Sequence, residues 1–166
     1  FDTDKAQQAV QELSKLLRYV LYDNQQMFVP LSKEIDLYAI TSNSCASVFC
    51  PGRYTDQLQY QAQKSDSIAP LIFISLIENA FKHGISPVEP SYINISISED
   101  NDKIECTIRN SNYPKTRADK SGSGIGLEQV RKRLELLYAG QYIWQRDVSA
   151  DNQTYESMLV ISTQKL

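Results

Sequence analysis

The chain holds a single histidine and only three cysteines in 166 residues. Structural zinc sites draw about four ligands from these residue types at short fixed spacings. Cys45, Cys50, Cys106 and His83 match no such spacing. An odd, scattered set of cysteines also argues against a disulfide scaffold and for free thiols in a reducing cytoplasm. Basic residues are in slight deficit, with Lys and Arg at 17 against 20 Asp and Glu, a net charge of −3 and a pI near 5.2. General nucleic-acid binding, which needs a basic face, is therefore excluded, although a small local phosphate site is not. No apolar run approaches the roughly 18–20 residues needed to span a bilayer, and there is no signal peptide. Internal repeats and low-complexity tracts are absent too. The chain begins at Phe1 with a helical pattern starting almost at once, and reads as a piece of something longer.

What remains is the composition of a soluble globular protein, 42% hydrophobic and 22% charged, enough for one domain plus an appendage. From about Asp4 to Asp23, Ala6, Val10, Leu13, Leu17 and Val20 recur at helical spacing, and Leu16 and Leu21 widen the stripe. A surface helix packed on its own domain would show such a stripe, and so would a helix that meets a partner in a bundle or dimer. The width favours the partner. Val29-Pro30-Leu31-Ser32 predicts a helix start with Ser32 as cap, running through Glu34, Leu37 and Ile40. Thr41–Gly52 predicts no regular element and ends at Pro51-Gly52. Leu58–Ala62 alternates as a strand, and Ile68-Ala69-Pro70 opens a helix with Pro70 in its first turn and Gly84 as its stop.

Further on, Tyr92–Ser98 and Lys103–Arg109 predict an antiparallel hairpin turned at Asp100-Asn101-Asp102. Asn110–Ser121 is polar and long enough to be a moving segment. Gly126–Tyr138 predicts a helix with Leu127, Val130, Leu134 and Leu137 on one face, and strands follow near Tyr142–Arg146 and Tyr155–Thr163. Helices mixed with antiparallel strands predict an α+β two-layer sandwich.

Two stretches carry chemistry. In Leu76–Gly84, residues three and four apart share a helix face, so Asn79, Lys82 and His83 point the same way. In Gly122-Ser123-Gly124-Ile125-Gly126-Leu127, a glycine-rich turn runs into a helix, which presents backbone N–H groups to phosphate. Each has a plain reading alone. Glu78 and Lys82 make an exposed i,i+4 pair worth a few tenths of a kcal/mol, His83 suits a helix C-terminus, and the glycines make a loop-to-helix junction. Taken together, with a hairpin and a polar loop between them, they form a nucleotide site.

The pair resembles the N-box and second glycine box of the GHKL superfamily, whose nucleotide-binding module is the Bergerat fold. More narrowly, Pro70–Gly84 with Gly122–Tyr138 is similar to the LytS-type sensor histidine kinases. Leu16–Tyr19 and Val29–Glu34 resemble that group's linker. The resemblance implies that Asn79 ligates Mg²⁺ bridging the phosphates of ATP, and that Lys82 and His83 reach those phosphates. Gly122, Gly124 and Gly126, with Ile125 and Leu127, match the lid hinge, and Asn110–Ser121 matches the lid. Asn110 stands where the superfamily has an Asp that accepts from the adenine amino group, so its amide oxygen takes that part. Hydrolases of the superfamily carry a glutamate base four residues before the Asn, and here that position is Ser75. Asn79 and Glu78 are the candidate catalytic residues, although Glu78 is roughly 100° around the helix from its neighbour.

On this resemblance residues 1–24 are the second helix of a dimerisation and phosphoacceptor hairpin, and 25–166 the ATP-binding domain. The acceptor histidine lies N-terminal to Phe1, so the fragment binds nucleotide without phosphorylating itself. The resemblance further implies a homodimeric full-length protein held at the inner membrane through its missing N-terminal part, with this domain in the cytoplasm. It also implies a response regulator partner, often of the LytTR type. Two other readings exist. One is a degenerate, non-catalytic module kept as a dimerisation or docking domain, motivated by Arg109-Asn110-Ser111. The other is an anti-sigma-type serine kinase, disfavoured by the helix at Asp4–Asp23.

Overall fold

A computed structural model describes residues 7, 10, 11, 14, 17–19, 21, 25–38, 54–61, 67–100, 102–113 and 125–163. Residues 7, 10, 11, 14, 17–19 and 21 are helical and make up the described part of α1, and residues 31–38 form α2. The other elements are β1 (Val29–Pro30), β2 (Tyr54–Gln61), β3 (Ser67–Ile68), α3 (Ile72–Gly84), β4 (Ser91–Asp100), β5 (Lys103–Ser111), α4 (Ile125–Leu137), β6 (Tyr142–Val148) and β7 (Thr154–Ser162).

Five strands make one sheet in the order β2-β4-β5-β7-β6. All its neighbours are antiparallel except β2 and β4, which run parallel with Tyr54 opposite Ser91. Parallel neighbours need a crossover of about a dozen residues or more, usually helical. Helix α3 is that crossover, which lays it on the sheet. Period-two alternation sends Ile93, Ile95 and Ile97 of β4, Ile104, Cys106 and Ile108 of β5, and Leu159 and Ile161 of β7 to one face. There they meet Ile72, Phe73, Leu76, Ile77 and Ala80 of α3 and Val130 and Leu134 of α4. The opposite face carries Gln57, Gln59, Asn94, Ser96, Thr107 and Arg109, and Arg109 pairs with Glu156, its register partner on β7. This is the two-layer α+β sandwich that the pattern predicts. No helix among the described residues is long and apolar enough to cross a membrane.

Several local expectations need correction. Ser32 does not cap α2, because the helical backbone already includes Leu31, and Val29–Pro30 is a strand. That strand pairs antiparallel with Ser67–Ile68, so both hydrophobic ends, Val29 and Ile68, are fully buried. Pro70 is not in the first turn of α3, which starts two residues later, after Leu71 in the left-handed region at φ 66°. Strand β2 begins at Tyr54 rather than Leu58, paired along its length with β4. The expectations for Thr41–Gly52, and for Cys45 and Cys50 within it, lie outside the described residues. Cys106 is buried with a free thiol, and desolvation holds that thiol above its usual range.

Gly84 ends α3 as expected, yet for a different reason. It does not adopt positive φ; Ile85 follows in extended conformation. Asn110 of β5 packs directly against it, and a Cβ at residue 84 would lie 2.8 Å from Asn110 Cβ and 2.7 Å from its Nδ2. The hydrogen bond from Tyr113 N–H to the His83 carbonyl, 2.8 Å, seals the same junction.

Two substitutions test this packing. Leu134→Ala removes a fully buried side chain of α4 from the core cluster, and should lower stability by about 2–5 kcal/mol in denaturant unfolding. Gly84→Ala overpacks the Asn110 contact and should cost about 1–3 kcal/mol in the same assay.

Candidate functional site

Helix α3 carries the site, and its beginning is held with unusual thoroughness. It has no acidic residue in its first turn and no side-chain cap of its own, so its first N–H groups require acceptors from elsewhere. Glu34 of α2 supplies them. Its Oε1 accepts from Leu71 N–H at 2.7 Å, and Oε2 accepts from Phe73 N–H at 2.9 Å and Ile74 N–H at 3.1 Å. The Tyr19 hydroxyl of α1 donates to the same carboxylate. Glu34 has no exposed surface. Desolvation pushes its carboxyl up from the ordinary range, against the opposing pull of these four donors.

Helix α4 grips the same entry from the other side. Arg133 donates to the Pro70 carbonyl. Ala69 N–H donates to the Tyr138 hydroxyl at 2.8 Å, and the Tyr138 ring meets Phe28 edge-on at 6.1 Å. Backbone groups from residue 69 to residue 74 are thus claimed by three side chains from two separate parts of the chain.

From this anchored start, α3 projects Ser75, Glu78, Asn79, Lys82 and His83 along one side. They line a small cleft of about 70 Å³ closed by Gly126 and Leu127 at the start of α4. Asn79, Lys82 and His83 therefore share a face as predicted. Glu78, for all its angular offset, lines the cleft as well and supplies its carboxylate. The Ser75 hydroxyl turns back to the Leu71 carbonyl at 2.7 Å. Ser75 and Gly126 also border a larger, mainly apolar cleft of about 680 Å³ between residues 25–27, the start of α3 and α4. Gly122 and Gly124 lie outside the described residues, and Ile125 begins α4.

Asn110 does not line the small cleft. It is fully buried beneath the C-terminal end of α3, with Nδ2 donating to the Ser111 carbonyl at 2.7 Å. Its Oδ1 is buried with no hydrogen-bond partner. An orphaned buried acceptor of this kind costs about 1–3 kcal/mol until a donor reaches it.

Sequence reasoning passed over Glu34, Arg133 and Tyr138. A signal for Glu34 did exist: no Ser, Thr, Asp or Asn stands immediately before Ile72, so the cap had to come from a distance. Which residue provides it cannot be read from spacing.

The chain is similar to known proteins in both sequence and fold. A family model described as Histidine kinase matches residues 1–39. Sensor protein LytS of Streptococcus agalactiae is 27% identical over 152 residues, covering 82% of this chain and 26% of that protein. Sensor histidine kinase YpdA of Escherichia coli is 29% identical over 150 residues, covering 81% and 25%. The chain thus spans about a quarter of the length of the curated relatives it matches. Among solved structures, the catalytic domain of histidine kinase ThkA superposes with a TM-score of 0.61 at 15% identity, covering 83% of this chain and 99% of that one. ThkA has also been solved in complex with the response regulator protein TrrA, with a TM-score of 0.56 at 13% identity, covering 98% of this chain and 49% of that one. In sequence this chain is similar to the LytS-type sensor histidine kinases, and its fold is that of histidine kinase catalytic domains.

Proposed function

We propose that this chain is the ATP-binding catalytic domain of a two-component sensor histidine kinase, which moves the γ-phosphoryl group of Mg-ATP to a histidine on a segment N-terminal to Phe1. The observation that carries the reading is the gathering of Glu78, Asn79, Lys82 and His83 with Gly126 and Leu127 around one cleft. The donor set fits the ligand. Asn79 offers a neutral amide oxygen, suited to a hard cation that keeps most of its waters and takes phosphate oxygens as further ligands. When bound, Mg²⁺ neutralises charge on the phosphates and orients them.

The protein's own part is positioning. Lys82 and His83 meet phosphate charge at the end of α3, and the start of α4 directs backbone N–H groups from Gly126 and Leu127 toward it. Ile125 and the glycines at 122 and 124 are taken as the hinge of a lid, expected over residues 110–121, although Asn110 and Ser111 belong to β5 and Tyr113 is tied to the His83 carbonyl. The orphaned Oδ1 of Asn110 suits a donor such as the adenine amino group, with Nδ2 already committed to Ser111. Ser75, bonded to the Leu71 carbonyl, has neither the basicity nor the freedom to activate water, which favours transfer to an outside acceptor over hydrolysis. Glu78 is the carboxylate available to take a proton from that acceptor.

Residues 1–24 are taken as one helix of the dimerisation and phosphoacceptor hairpin, and 25–166 as the catalytic domain. The exposed Val10, Leu17 and Leu21 of α1 support a helical partner there and a homodimeric whole protein. A response regulator is the expected recipient of the phosphoryl group, by analogy with the ThkA–TrrA complex, and a LytTR type is the finer expectation. The domain is assigned to the cytoplasmic side of an inner-membrane protein.

Calorimetric titration with a non-hydrolysable ATP analogue should give binding that depends on Mg²⁺, and Asn79→Ala should weaken it about tenfold or more. Absence of binding at millimolar nucleotide would overturn the kinase reading. In a longer chain that carries the upstream histidine, γ-labelled ATP should label the protein, and His→Ala at that histidine should abolish the label. The 166-residue chain itself should stay unlabelled.

A further inference from the structure

We infer that Tyr19 and Glu34 form a latch through which helix α1 sets the position of α3, and with it the nucleotide cleft. The inference rests on the nucleotide reading above and goes beyond it by naming the route of control. Three observations carry it.

First, the described residues of α1 have a single point of burial. Among its described residues, Gln7, Val10, Gln11, Ser14, Leu17, Arg18 and Leu21 are exposed, whereas Tyr19 is 3% exposed. Any displacement of α1 along or about its axis is therefore felt by the domain at Tyr19 among these residues. Second, Tyr19 donates to a carboxylate that α3 cannot do without. Glu34 accepts three backbone N–H groups of the α3 entry, and that entry has no other side-chain cap. An anion at a helix N-terminus is favoured by the helix dipole as well as by the hydrogen bonds themselves. Third, α3 is a rigid carrier. Leu71 at its start and the cleft residues Asn79, Lys82 and His83 belong to one continuous helix of 13 residues and its cap. A shift at Glu34 is thus delivered to the cleft without bending a strand.

The entry is also poised to move. Leu71 sits in the left-handed region at φ 66°, a conformation that costs a non-glycine residue energy and persists only where its surroundings hold it. The bonds to Leu71 and Phe73 N–H do that holding. Tyr19 and Glu34 are positioning residues and are not among the residues that line the cleft.

Coupling of this kind is reciprocal: if α1 biases the cleft, nucleotide in the cleft must bias α1. The test is hydrogen exchange over residues 14–21 of the whole chain, with and without Mg²⁺ and a non-hydrolysable ATP analogue, beside calorimetry on the same samples. In the native protein the analogue should slow exchange around Tyr19 several-fold. Tyr19→Phe leaves the cap on α3 in place, so it should bind the analogue within about twofold of native while losing the exchange response in α1. Glu34→Gln removes the charge and sets an amide donor against the helix N–H groups, so it should weaken analogue binding about tenfold while protection of the β4–β5–β7 amides stays native. Native analogue binding with unchanged exchange in α1, or an exchange response that survives in Tyr19→Phe, overturns the latch alone. Absence of any binding heat in the native protein overturns the nucleotide reading and the latch with it.

Discussion

A buried carboxylate at the N-terminus of α3 is the interaction on which the arrangement depends. Glu34 stands 37 residues before Leu71 in sequence, and its hydrogen bonds close that distance by joining α2 to the helix that bears the cleft. An isolated carboxylate with no exposed surface would be prohibitively unfavourable. Here four donors converge on it, and the helix dipole adds to them. The dependence runs both ways. Without Glu34 the first turn of α3 loses its acceptors, and without α3 the charge has no reason to be buried. The β1–β3 ribbon, Tyr138 and Arg133 complete the enclosure.

The sheet gives this junction its backing. Its polar outer face leaves one apolar face to bury, and α3 and α4 share that face side by side. Their adjacency brings the start of α4 against the middle of α3, so Gly126 and Leu127 close the cleft that Asn79, Lys82 and His83 line. The same adjacency lets Arg133 and Tyr138, one and two turns beyond Val130, reach back to the α3 entry. A single pair of packed helices thus shapes the site and secures its foundation.

Much of this was legible in the amino-acid order, for reasons that are local. The apolar positions of α3 and α4 follow the helical period, and the β4–β5 hairpin follows from strict alternation of isoleucines around an acidic turn. Asn79, Lys82 and His83 are near neighbours on one helix, so their common face needed no tertiary knowledge. What escaped reading was long-range. Ser32 looked like a cap because its residue type suits one, whereas the helix already starts at Leu31, directly after the strand that pairs Val29 with Ile68. Pro70 looked like a first-turn proline, whereas the left-handed Leu71 intervenes. Strand β2 gained its first four residues from β4 beside it, not from its own alternation. Gly84 was anticipated as a helix stop, but the reason for glycine there is the Asn110 side chain, which no spacing within the helix could announce.

That contact between Gly84 and Asn110 has a bearing on which side chains the buried position can hold. With Nδ2 engaged by the Ser111 carbonyl, the side chain is held in one orientation and offers only an acceptor inward. A carboxylate in the same buried spot would leave a stranded negative charge, a far larger penalty than an unmatched amide oxygen. The amide is therefore the less costly occupant of this buried position. Gly84 and Asn110 thus specify each other: the missing side chain of one makes the space that the amide of the other fills.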